Sequence, residues 1–189
     1  MLFRSRPTAT ITGSTQICPG ASTLLTLNFT GTGPWSGVLS NGQTFSSSAN
    51  QTTLSVSPSS TTTYSISSLN DNNCGATSGI SGSATVVVNP TNTIALSSAA
   101  GSNAQSLCIN NAITSITYST TGATGATVSG LPTGVTGSWA ANVFTISGTP
   151  SQSGTFNYTV TMTGGCTGGT NTASGSIVVN PTKIGRAHV

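Results

Sequence analysis

The chain has 189 residues, of which 3% are charged and 5% aromatic, and its four Lys or Arg against one acidic residue give a formal net charge of +3. Between Pro7 and Thr182 the only charged side chain is Asp71, so no basic patch exists to neutralise phosphates and nucleic-acid binding is not expected. No apolar run approaches the roughly 20 residues of a spanning helix, so membrane insertion is not expected either.

Taken from its start, Met1-Leu2-Phe3-Arg4-Ser5 and the closing Ile184-Gly185-Arg186-Ala187-His188-Val189 share neither the alternation nor the Ser/Thr/Gly composition of the residues between them. Both resemble translated short-read sequencing adapter. Residues 1–6 and 183–189 are therefore expected to be non-native ends. They hold Arg4, Arg6, Lys183 and Arg186, so the positive charge belongs to them.

An internal echo then divides the chain. Val86-Val87-Val88-Asn89-Pro90-Thr91 returns as Ile177-Val178-Val179-Asn180-Pro181-Thr182, 91 residues on, about the length of one sandwich domain. The β-branched run reads as a closing strand. Asn-Pro then removes a backbone donor and imposes an extended exit, as at a short linker. Two domains follow, at residues 7–89 and 90–181.

The first domain opens with Thr10-Ile11-Thr12-Gly13 and Ile17-Cys18-Pro19-Gly20, followed by a strand in which Leu25, Leu27 and Phe29 share one face. Gly31-Thr32-Gly33-Pro34-Trp35 turns into a strand around Val38-Leu39, and Asn41-Gly42 is a hairpin signal. Leu54 and Val56 alternate, Pro58-Ser59-Ser60 turns the chain, and Tyr64 with Ile66 begins another strand ending near Leu69. Asp71-Asn72-Asn73-Cys74-Gly75 is a loop, and residues 83–88 close the domain.

The second domain begins at Ile94-Ala95-Leu96, passes Leu107-Cys108-Ile109 and has a strand near Ile116-Thr117-Tyr118. A glycine- and threonine-rich stretch spans Gly122 to Gly130. After Leu131-Pro132-Thr133-Gly134-Val135, Phe144 and Ile146 point one way, and Gly148-Thr149-Pro150 interrupts as a turn between strands should. From Thr155 the apolar Phe156, Tyr158, Val160 and Met162 alternate with polar neighbours at a strict period of two, the signature of a half-buried strand. Gly164-Gly165-Cys166-Thr167-Gly168-Gly169 then leads to the closing strand. No window holds a sustained helical period, and the fold class read from the whole is all-β.

Leu131-Pro132-Thr133-Gly134, Ile146-Ser147-Gly148-Thr149-Pro150 and Gly154-Thr155-Phe156 resemble the hallmark motifs of immunoglobulin-like (cadherin-like) domains of large bacterial surface proteins. Cys18-Pro19-Gly20 and Asp71-Asn72-Asn73-Cys74 similarly resemble the polycystic-kidney-disease-like and related repeats of such proteins. The resemblance implies two tandem immunoglobulin-like antiparallel β-sandwiches with spacer, adhesive or carbohydrate-associated roles, a class of job that the fold alone does not narrow.

Each domain holds an early and a late cysteine at corresponding places, Cys18 and Cys74 in the first, Cys108 and Cys166 in the second. Of the three connectivities four cysteines allow, pairing within each domain is the expectation, and disulfides place the protein outside the cytoplasm, secreted or on the cell surface. Zinc finds no Cys-x-x-Cys pair.

Catalysis finds no acid–base pair: serines abound, but no His or Lys lies within the domains to activate one. No cofactor site is expected. Asp71 among Asn70, Asn72 and Asn73 offers calcium a single carboxylate, and an Asx turn before Cys74 is the simpler reading. Trp35 and Trp139 are the ligand-binding candidates, as sugar-stacking platforms, against the competing reading of each as core. The functional expectation is a non-catalytic spacer or adhesion pair whose partners are neighbouring repeats of the same chain, with glycans or surface proteins as further partners; the rival is a carbohydrate-binding module.

Overall fold

The computed structural model describes residues 6–76 and 78–182, so of the expected non-native ends all but Arg6 lie outside the described residues. No helix occurs among the described residues. The chain divides between Asn89 and Pro90 into two compact units, each with its own core.

The first unit runs β1 (Thr8–Thr12), β2 (Thr15–Ile17), β3 (Thr23–Thr30), β4 (Trp35–Leu39), β5 (Thr44–Ser47), β6 (Gln51–Val56), β7 (Thr62–Tyr64), β8 (Ile66–Asn70), β9 (Ile80–Ser81) and β10 (Ala84–Val88). One sheet has the order β6-β3-β1-β9. In the other layer β7 and β8, parted only by Ser65, together bridge two ladders: β7 pairs with β10, which takes β2 on its far side, and β8 pairs with β4, which takes β5. The alternation expected in β3 is realised, with Leu25, Leu27 and Phe29 all buried. They meet Ile11, Leu39, Tyr64, Leu69 and Val86 in one apolar cluster. Thr and Ser occupy much of the outward face, where they keep the β preference while leaving a hydroxyl in water.

The second unit runs β11 (Thr93–Leu96), β12 (Ala104–Cys108), β13 (Ile116–Thr121), β14 (Gly125–Ser129), β15 (Val135–Ala140), β16 (Val143–Gly148), β17 (Gly154–Thr163) and β18 (Thr172–Asn180). Its sheets are β11-β13-β16-β15 and β12-β18-β17-β14. In immunoglobulin lettering this is A-B-E-D opposite C-F-G, with β12 as an added strand parallel to G. The first unit carries the same parallel addition, β2 beside β10. Both units are therefore immunoglobulin-like sandwiches, as the repeated closing strands and the alternation predict.

The two motifs of the second unit are one packed feature. Gly134 (φ +89°) and Gly148 (φ +136°) face each other, and a Cβ on either would strike the other's neighbourhood: the Thr149 carbonyl oxygen for Gly134, the Gly134 carbonyl oxygen for Gly148. The Thr149 N–H donates to the Gly134 carbonyl (3.0 Å) and the Ser151 N–H to that of Thr133 (2.9 Å). Pro132 and Pro150 are buried beside them. The left-handed φ and the close approach both demand glycine here.

Candidate functional site

Each unit has two poles: a leading one, where its first strand begins, and a trailing one, where its last strand ends. The candidate residues sort by pole.

At the leading pole of the first unit, Asp71 follows β8. Its Oδ1 accepts from the N–H groups of Asn73 and Cys74 (both 2.8 Å) and its Oδ2 from the Thr32 N–H (3.1 Å). Both oxygens are thus committed to backbone donors, foremost Cys74, which hold the carboxyl below the usual carboxylate value. The Asx-turn reading accounts for this residue. Among the described residues no group of three or more His, Cys, Asp or Glu is placed to hold a metal ion.

Trp35 opens β4 and is 6% exposed. Its indole N–H donates to the Thr30 carbonyl (3.1 Å), and its ring stacks on Phe29 at 5.5 Å between centroids, Phe29 also stacking with Phe45 at 5.7 Å. This corrects its candidacy as a sugar platform: the ring is consumed by the core. Trp139, on the edge strand β15, is half-buried, packs against the second core and donates its N–H to Thr120 Oγ1 (3.0 Å). It keeps an exposed portion and is the more exposed of the two indoles.

The cysteines depart from the expected pairing. Cys18 and Cys166 are disulfide-bonded, whereas Cys74 and Cys108 carry free thiols. The bonds expected within each domain, Cys18 to Cys74 and Cys108 to Cys166, are not formed, and the topology gives the reason. Cys18 follows β2, whose last residue accepts from the Asn89 N–H at the trailing pole, while Cys74 donates its N–H to Asp71, which also accepts from Thr32, at the leading pole. The eight residues of β3 separate these poles, roughly 25 Å at strand rise, against a Cα–Cα span below about 7 Å in a disulfide. In the second unit Cys108 ends β12 opposite Asn180, at the trailing pole, and Cys166 bridges to Thr91 at the leading one. There β18 spans the gap, again roughly 25 Å. Corresponding positions in a repeat do not bring the two cysteines of one repeat together.

Two features have no counterpart in the sequence reading. Asn92 is 1% exposed at the leading pole of the second unit, its amide donating to the Gly164 carbonyl (2.9 Å) while its N–H binds the Cys166 carbonyl (2.8 Å). It anchors the loop that carries Cys166, and no composition signal marks a buried Asn in so Asn-rich a chain. At the trailing pole, Cys108, Ile109, Asn111, Asn180, Pro181 and Thr182 line a cavity of about 650 Å³.

No family model and no curated protein matches the chain. Among solved structures, the titin domains z1z2 in complex with telethonin are 13% identical at a TM-score of 0.40, over 96% of this chain and all of that one. The Yersinia pseudotuberculosis protein InvD is 14% identical at 0.41, over 97% of this chain and 60% of its own. Domains 1–6 of the surface layer protein SbsC are 13% identical at 0.40, over 84% and 24%. The strand topology, rather than these distant likenesses, carries the fold assignment.

Proposed function

We propose that this chain is a non-catalytic pair of spacer or adhesion repeats from a longer secreted or cell-surface bacterial protein. The observation that carries the reading is where the polar chemistry goes. The single carboxylate between Pro7 and Thr182 is taken up by backbone donors, and the chain offers the repeats' outer faces hydroxyls and amides rather than ionisable groups. Such a surface can be wetted and can position a distal domain, but it holds no pair to move a proton. The partners in this reading are neighbouring repeats.

Exchange of the pair within its parent protein tests this. Replacement by two unrelated sandwiches of equal length keeps the parent's surface function, and deletion of both shortens its reach and weakens it. Loss of function on exchange, together with glycan-array binding that Trp139→Ala abolishes while the fold persists, would establish the carbohydrate-binding reading instead. Trp139 is the observation behind that rival, being partly exposed.

A further inference from the structure

Asn92 is the buried polar residue that the spacer reading leaves unexplained. Its amide nitrogen is taken up by the Gly164 carbonyl, but its Oδ1 is buried with no hydrogen-bond donor within reach. A buried acceptor without a protein partner is rare in native proteins and calls for a water or an ion. Turning the amide round does not cure this, because Oδ1 would then face the Gly164 carbonyl, acceptor against acceptor.

What surrounds Oδ1 is more oxygen. A Cβ placed on Gly122 would lie 3.0 Å from Asn92 Oδ1, 2.9 Å from the Pro90 carbonyl oxygen and 3.0 Å from that of Thr91. A Cβ placed on Gly165 would strike both Asn92 Oδ1 and the Gly122 carbonyl oxygen. Four oxygens therefore gather about a hollow that two glycines leave open. A second buried amide oxygen without a donor, Asn171 Oδ1, ends the same loop, whose Thr167 and Gly169 carbonyls its nitrogen holds.

All four oxygens about the hollow are acceptors, and no Lys, Arg or His is among the described residues of the second unit to meet them. One water has two hydrogens to offer four acceptors, whereas a metal ion can meet them together. The kind of ion follows from charge. The second unit has no Asp or Glu, so the donor set is wholly neutral. Calcium sites draw their affinity from charged ligands, and a buried double charge without a counter-charge is strongly penalised. Neutral carbonyl oxygens standing in for a hydration shell suit an alkali cation instead. Pro90 and Gly165 are exposed at the rim, so an ion reaches the oxygens from solvent.

We propose that Asn92 Oδ1 and the carbonyl oxygens of Pro90, Thr91 and Gly122 bind a monovalent metal cation, sodium or potassium. The ion's role is structural: it ties residues 90–92 to Gly122 and, through Asn92, to the loop that carries Cys166.

Hydrogen exchange on the full chain, read by mass spectrometry, tests this in sodium, potassium or choline chloride at about 0.15 M ionic strength. Choline is too large to enter the hollow. Sodium or potassium is expected to slow exchange at residues 91–93 and 163–172 relative to choline, by about tenfold where the ion stands at ten times its dissociation constant. The corresponding loop of the first unit, residues 71–76, is expected to exchange alike in all three salts. Equal exchange at 163–172 in all three would overturn the proposal and leave the oxygens to water. Slowing by calcium chloride with none by sodium or potassium would overturn it too, making the site divalent.

Asn92→Ala is expected to abolish the difference between salts, with continued protection around Tyr158, Val160 and Met162 showing that the unit has folded. A difference that survives in the folded variant would put the ion elsewhere and overturn the assignment. Should the variant not fold, the wild-type comparison decides alone.

Discussion

Tyr118 and Tyr158 are both almost fully buried and share a hydrogen bond between hydroxyls at 3.0 Å. Burial first, then the Tyr118 hydrogen bond and charge, pushes the Tyr158 hydroxyl well above its ordinary value. Tyr118→Phe leaves a buried hydroxyl unpaired and is expected to cost about 1–3 kcal/mol in denaturant unfolding, while Tyr118→Phe with Tyr158→Phe costs less than the single change. A raised folded pKa means that the contribution is complete below the ordinary tyrosine value of 10.0 and falls as pH rises above it. Asp71 has the opposite sign. Its carboxyl is lowered, first by the Cys74 N–H, so its contribution is present above the unfolded value and is lost as pH falls through the folded one. Thermal melts of wild type and Asp71→Ala are expected to differ at neutral pH and to converge on acidification. Asp71 was readable as a turn former from its Asn neighbours; the burial of Trp35 was not, because an indole after Gly-Pro looks the same from sequence whether its ring folds inward or out.

Strands were legible wherever one face is apolar. The period of two from Thr155 is the body of β17, in which Tyr158, Val160 and Met162 are buried and Phe156 half-buried. By contrast β14 lies inside the glycine- and threonine-rich stretch from Gly122 to Gly130, where no alternation marks it; pairing with β17 makes it a strand. The short β2 and β9 were likewise invisible, since each depends on a parallel neighbour far along the chain. The paired motifs were visible as turns, but their mutual packing was not. Gly148→Ala would drive a Cβ into the Gly134 carbonyl at a left-handed φ, with Val135 Cα 2.9 Å away. The expected loss is about 2 kcal/mol or more in chemical denaturation, with Gly134→Ala comparable.

For the molecule as a whole, a 91-residue echo was enough to divide the chain, and each unit then closes on its own apolar cluster. What the echo could not convey is which pole each cysteine occupies, because pole assignment follows from strand order, and strand order is settled by long-range pairing. The parallel ladders at the end of each unit have one more consequence. Pulling a unit by its two ends draws the parallel neighbours β2 and β10, or β12 and β18, past one another lengthwise, so every rung of the ladder is loaded together instead of opening one by one. The first unit has three such pairs, Thr15 to Ile17 against Val86 to Val88; the second has five, Ala104 to Cys108 against Ser176 to Asn180. In single-molecule stretching of the chemically reduced protein the first unit is expected to give way at the lower tension. Val87→Pro, which removes a rung from the shorter ladder, is expected to lower that threshold further while leaving the second unit's rupture peak in place.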